Sequence, residues 1–410
     1  MLTVEEALAQ ILTDVDPLAG QFTPLEESLG RVLAVDLSSD IDSPPHDKSM
    51  VDGYAVKIAD VNQHPVSLPV NEEITAGQVP TRELTAGTTS RVMTGAPVPA
   101  GAEAVVMVEE TELEETESGP LIRIPSQQIS LGANILLQGT SIRRGDQVLT
   151  AGTRIRPLEI GLLAEIGQAS VCCIPVPRVA VLSTGNELVP ASEVPAAGQI
   201  RNSNGPMLSA QARRCQAEVV SLGIGRDDQA ELEELIQAGL DADILVLSGG
   251  VSAGVLDLVP AALAAQGVNE VFHKVELKPG KPLWYGRADH DGRRSHVFGL
   301  PGNPVSSLVC FELFVRPLVD RLAGRASIGM RCRQAQLQGH FSQRGNRPTF
   351  HPACYEEGKQ GGIVEPVRWQ GSADQRALTT ANCLAYFSAG QEEFSPGTAV
   401  PVYLFEAQDD

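Results

Sequence analysis

Three short runs of apolar residues constrain the fold of this chain more than any other feature. They are Val179–Leu182, Ile244–Leu247 and the run His296-Val-Phe-Gly-Leu ending at Leu300. Each has strand length, and segments of helical pattern near 205–217, 229–239, 257–266 and 304–323 alternate with them. A strand without polar alternation has to be covered on both faces, and such strands alternating with helices give βαβ units around a parallel sheet. The spacing therefore predicts an α/β domain over 178–326.

The flanking regions read differently. From about 50 to 150 the sequence breaks into short Val/Ile/Leu/Thr runs punctuated by Gly and Pro, such as Ala104–Val108, which predicts a mostly β insertion domain over 49–149. The dense acidic run from Glu109 to Glu117 reads there as a solvated hairpin or loop. The last 80 or so residues return to short strands, and a small C-terminal β-barrel or sandwich is expected over 327–410. Thr3 and Glu6 form a capping box ahead of the apolar stripe Val4, Ala7, Leu8, Ile11 and Leu12. A second short helix runs from Pro157 to Ile166, with Gly167 just past its end. Residues 1–48 with 150–177 are assigned to a small mixed helical domain, in which the first helix is expected to dock on the second.

Charge limits the partners. The chain carries 31 Lys+Arg against 51 Asp+Glu, a net −20, so a general affinity for nucleic acid or anionic membrane is excluded. An anionic substrate needs a local basic pocket. The seven cysteines are odd in number, with no CxxC pair, and read as reduced thiols. The start lacks the features of a signal peptide, and no apolar run approaches the roughly 20 residues of a spanning helix, so a soluble cytoplasmic protein is expected. P-loop, GxGxxG, HExxH and GxSxG patterns are absent.

Open parallel sheets bind ligands at the carboxyl ends of their strands. After the first apolar run come Ser183, Thr184, Gly185, Asn186 and Glu187; after the second Ser248, Gly249, Gly250, Val251 and Ser252, with Asp257 beyond; after the third Pro301, Gly302, Asn303, Pro304, Val305 and Ser306. Each loop joins glycine to hydroxyl or amide side chains ahead of a helix, and Asn303 is placed to cap one that Pro304 opens. Free N–H groups at such helix starts attract phosphate or another oxyanion. Glycines that merely tighten βα turns would explain any single loop; three on one sheet favour a site. Lys274, Lys278 and Lys281 form a basic group in an acidic chain, with Lys274 and Lys278 expected on one face of a strand. A lysine-guarded edge would look the same. Glu187, Asp227, Asp228 and Asp257 are strand-end carboxylates of the kind that hold Mg²⁺ beside a phosphate.

Taken with Asp52-Gly-Tyr-Ala55 and the run from Met93 to Pro99, these loops resemble the MoeA family of molybdopterin molybdenumtransferases, which includes the E domain of gephyrin. The motifs DGYA, MTGAPVP, STGNEL, SGGVS, KPGKP and LPGNPVSS occur in the family's order across essentially the whole chain. The resemblance implies a MogA-like molybdopterin-binding α/β domain within an elongated four-domain homodimer. It also implies a reaction that takes adenylylated molybdopterin and molybdate, releases AMP and uses Mg²⁺, with a MogA-like adenylyltransferase acting upstream. Positions matching the family's functional residues are Asp52, Thr94, Glu187, Asp227, Asp257, Lys274, Lys278, Pro301 and Pro304, with Ser372 a weaker match. On this basis Asp227 and Asp257, with Glu187, are the expected Mg²⁺ ligands. Lys274 and Lys278 are expected to hold oxyanions, and Asp52 to reach the site from the β insertion.

The chain also departs from the family pattern. Leu136-Leu-Gln138 stands where the family carries a basic run, and Ser141 where it carries an acidic residue, unless Arg143, Arg144 and Asp146 replace them after a shift. Val255 stands for an expected Glu. A molybdopterin-binding or scaffolding paralogue without the metal chemistry is therefore the alternative reading.

Overall fold

In the computed structural model, described for residues 1–62, 65–125, 128–250, 258–290, 292–358 and 361–405, the chain divides into two compact units. One comprises Met1–Thr23, Gly30–Ala34 and Cys172–Asp410; the other comprises Pro24–Leu29 and Val35–Val171. The stretch 49–149 lies wholly in the second, and 178–326 and 327–410 in the first.

The second unit is built on a six-stranded sheet in the order Ala104–Met107, Gly53–Val56, Thr89–Val92, Val66–Ile74, Gly119–Ile124, Glu112–Thr116. Tyr54, Val56, Leu68, Val106, Ile122 and Ile124 fill its core. The acidic run forms the outer strand of a hairpin, Glu112–Thr116, with every residue exposed. Its charge keeps that open edge from pairing with another chain. The helix Pro157–Glu165 packs on the turn Leu25–Glu27 and opens on Arg156, whose guanidinium holds the Glu159 carboxyl down at about 2.

Glycine at position 53 has a steric cause. A Cβ there would lie 2.0 Å from the Val106 carbonyl oxygen, where Gly53–Val56 pairs with Ala104–Met107. Gly53→Ala should destabilise this unit by about 3 kcal/mol or more, because backbone rather than a flexible side chain would have to move. A loss under about 1 kcal/mol in a denaturant titration would show that the two strands can separate.

The first unit contains the expected α/β layer. Its sheet order is Glu218–Gly225, Arg178–Thr184, Ile244–Ser248, Arg293–Leu300, Trp284–His290, Asn269–His273. The first four strands are parallel. Trp284–His290 runs antiparallel to both of its neighbours, so the sheet is mixed. Only two residues separate Trp284–His290 from Arg293–Leu300, too few for the crossover that a parallel pair requires. Helix Val4–Leu12 has the predicted capping box, but its buried face, Val4, Ala7 and Ile11, packs on the helical run Phe311–Leu322 rather than on 157–166. Arg287 fixes the far end of that helix by donating to the carbonyls of Gln10 and Thr13.

The C-terminal strands close a five-stranded barrel in the order Arg331–Leu337, Gly361–Pro366, Thr349–Gly358, Cys383–Phe387, Ala399–Leu404. Among the described residues, no helix is long and apolar enough to cross a membrane.

Candidate functional site

Strand register sets the site. Ser183 lies opposite Ser248, and Ser248 opposite Leu300, so the three glycine-containing loops leave the sheet side by side. The chain passes from Arg178–Thr184 out to Glu218–Gly225 and then back across to Ile244–Ser248, which makes the gap between the first and third of these a topological switch point. Gly249 donates its N–H to the Leu300 carbonyl, and its Cα is 4.0 Å from where a Gly302 Cβ would sit. A Cβ on Gly249 would meet the Thr184 carbonyl at 2.7 Å. These glycines thus permit three backbones to converge. Ser183, Thr184 and Ser248 are buried beneath them. Ser252 and Asp257, the remaining candidates of the second loop, lie outside the described residues.

The carboxylates of the first loop have a neighbour on the next strand. Thr184 pairs with Gly225, which places Asp227 beside the Asn186 loop; the Asp227 N–H donates to Asn186 Oδ1 at 3.1 Å, and the Asn186 N–H points back at the Asp227 carboxylate. Glu187 folds over Gly185, where an added Cβ would lie 2.3 Å from its carboxylate. Both acids are exposed. Mg²⁺ is held by one or two carboxylates with substrate oxygens and water completing its shell, so Glu187 and Asp227 fit that ion. Among the described residues, no group of three His, Cys, Asp or Glu side chains could hold a metal.

Two expectations about the other loops are corrected. Asn303 sits at the helix N-cap position before Pro304–Cys310, but its side chain makes no cap; Nδ2 donates to Ser372 Oγ at 2.9 Å, and the Val305 N–H is taken by the Ser372 carbonyl. The loop from Pro301 to Pro304 is thereby tied to the segment around Ser372. Lys274 and Lys278 do not share a strand face either, since the strand ends at His273, Lys274 has φ +76°, and the chain then turns.

Lys278 instead opens onto a cavity of about 840 Å³, together with Lys281, Arg347, Arg368, Ser306 and Ser372. Glu365 is the carboxylate in its wall. His351 also lines it, but burial pushes its imidazole down to about 4, so it is neutral near pH 7. Arg347 braces the lysine loop by donating to the Leu277 carbonyl at 2.7 Å. Four cationic side chains around one hollow form the local basic pocket that an acidic chain needs to take up an oxyanion. Arg347 and Arg368 were missed in the sequence, where the last 80 residues read only as a barrel. The signal available was two bases at 344 and 347 in an acidic chain, just before an apolar strand.

In the other unit, the motifs around Asp52 and Thr94 meet. Both the N–H and the hydroxyl of Thr94 donate to Asp52 Oδ1 at 2.7 Å. These bonds, first from the backbone and then from the hydroxyl, hold the Asp52 carboxyl below its ordinary range although it is exposed. Asp146 accepts the Arg143 N–H at 2.9 Å and closes a turn.

Comparison with known proteins matches these parts. Family models describe residues 2–167 as the MoeA N-terminal region (domains I and II), 180–321 as a probable molybdopterin binding domain, and 334–405 as the MoeA C-terminal region (domain IV). Curated relatives named molybdopterin molybdenumtransferase include one from Staphylococcus aureus, 35% identical over 99% of this chain and 96% of its own, and one from Bacillus subtilis, 33% identical over 100% and 95%. The crystal structure of a molybdopterin biosynthesis moeA protein from Pyrococcus horikoshii is 31% identical, with a TM-score of 0.84 over 99% of this chain and 100% of that one. With its α/β layer, its β unit and its closed barrel all matched along the full length, the chain belongs to the molybdopterin molybdenumtransferase family of enzymes, which acts in molybdenum cofactor biosynthesis.

Proposed function

We propose that this enzyme inserts molybdate into adenylylated molybdopterin and releases AMP. The observation that carries this reading is the cavity lined by Lys278, Lys281, Arg347 and Arg368 in a chain of net charge −20. These bases would bind molybdate. The loops at Ser183, Thr184 and Gly185, at Ser248, Gly249 and Gly250, and at Pro301, Gly302 and Asn303 offer hydroxyls and closely approached backbone to a phosphate-bearing ligand. Two anions must meet for the transfer, and fixed cations in a site of low dielectric offset their repulsion. Glu187 and Asp227 would hold Mg²⁺, which when bound neutralises charge on phosphate oxygens. Lys274, just past its strand, is retained as a phosphate-binding residue.

Family likeness supports a homodimer in which Asp52 of the partner subunit completes the site, and an upstream MogA-like adenylyltransferase as supplier of the substrate. Free thiols at all seven cysteines suit a reducing cytoplasm.

Purified protein given adenylylated molybdopterin, Mg²⁺ and molybdate should release AMP only when molybdate is present. Ser141 favours a second reading, since a hydroxyl cannot supply a carboxylate's charge. Ligand binding without molybdate-dependent AMP release would replace the enzyme with that binding paralogue.

A further inference from the structure

We infer that two asparagines, Asn202 and Asn204, set opposite hydrogen-bonding polarities on the serines of the strand-end site. Ser183 is left as an acceptor and Ser248 as a donor toward the bound ligand. The inference rests on the reading of these loops as the molybdopterin-binding site.

Backbone groups that can play one role only fix the polarity at each asparagine. A peptide N–H can only donate, and the N–H of Gly205 reaches Asn202 Oδ1 at 3.0 Å, which fixes that atom as the amide oxygen. Ser183 Oγ lies 3.1 Å from the same oxygen, so its hydroxyl must spend its proton there. Its lone pairs remain. A carbonyl can only accept, and the Gly302 carbonyl lies 2.7 Å from Asn204 Nδ2, which fixes that atom as the amide nitrogen. The same nitrogen is 2.8 Å from Ser248 Oγ, so Ser248 accepts and keeps its proton. Among the described residues, no acceptor takes it.

Asn204 is nine-tenths buried and ties the second loop to the third, so it is a positioning residue. Its Oδ1 and the Thr184 hydroxyl are buried and have no partner among the described residues, as polar groups that await one do. The chemistry recognised is an oxygen acceptor, as on a phosphate, at Ser248, and an N–H or O–H donor at Ser183.

Calorimetric titration of the full-length protein with adenylylated molybdopterin tests this. Asn204→Asp would turn the Ser248 proton inward, and both N204D and S248A should weaken binding about tenfold or more. Ser248→Thr, which keeps the hydroxyl, should bind within about threefold of wild type. Because Asn204 acts through Ser248, the double variant should be no weaker than S248A beyond about twofold. Losses that multiply, or an S248A protein that binds like wild type, would overturn the inference. If N204D does not fold, as judged by its melting curve, the S248A and S248T pair decides. Wild-type protein that fails to bind would sink the functional reading and this inference with it; wild-type binding with unaffected variants sinks only the inference.

Discussion

Replacing Lys278 and Arg347 together by alanine should lower molybdate-dependent AMP release by about a hundred- to a thousandfold. Both side chains line the same cavity, and nothing in the overall field replaces them, since acidic groups outnumber basic ones by 51 to 31. Their roles differ. Lys278 brings a mobile ammonium whose Nζ lies 3.4 Å from the Arg344 carbonyl, a contact weak enough to yield to an anion. Arg347 adds charge and also fixes the loop through the Leu277 carbonyl. Arg347→Lys keeps the charge but not the planar fork, and should fall between wild type and Arg347→Ala. Melting temperatures should move little, because Arg347 is only half-buried and Lys278 is not in the hydrophobic core. Turnover of the double variant within about tenfold of wild type would remove molybdate from this cavity.

Asp52→Asn should cost about a hundredfold or more in turnover with little loss of stability, since Asp52 is exposed and the change keeps its shape. The pH dependence follows from its bonds to Thr94. A depressed carboxyl pKa means that the ionised form, and the activity it supports, is complete above the ordinary carboxylate range and is lost as pH falls through the depressed value. Thr94→Val removes the hydroxyl bond and keeps the backbone one, so the pKa rises and the acid limb of the kcat/KM profile moves to higher pH. An unmoved limb would mean that Asp52 ionisation does not control the rate. Mixing D52N with K278A protein adds a check on the homodimer. Recovery of activity in the mixture is expected if one subunit lends Asp52 to the other, and no recovery would confine the site to one subunit.

Some features were legible because they are local. An apolar run of strand length has to be buried wherever it lies, so Val179–Leu182 and Ile244–Leu247 declared a covered sheet, and the loops after them marked the edge at which open parallel sheets in general bind ligands. The capping box at Thr3 and Glu6 formed as read, because its partners are three residues apart. Asp52 and Thr94 were both named from the sequence, but their bond depends on pairing between segments 42 residues apart and could not be read from either motif.

Long-range partners decided the rest. The apolar stripe of the first helix specified that it would dock, but not where, since Phe311 and Leu318 offer as good a surface as any nearer helix. Asn303 and Pro304 look like a helix start, and they are one, yet Ser372 takes both the Asn303 amide and the Val305 N–H. Lys278 and Arg347 are remote in sequence and become one pocket only when the barrel closes beside the lysine loop. By itself, then, the sequence determined the layers, the family motifs and the strand ends that bear the candidate site. Which bases share a cavity, and which polar atoms remain free to meet a ligand, depended on tertiary structure, because hydrogen-bond partners and charge clusters are set by distances that only folding defines.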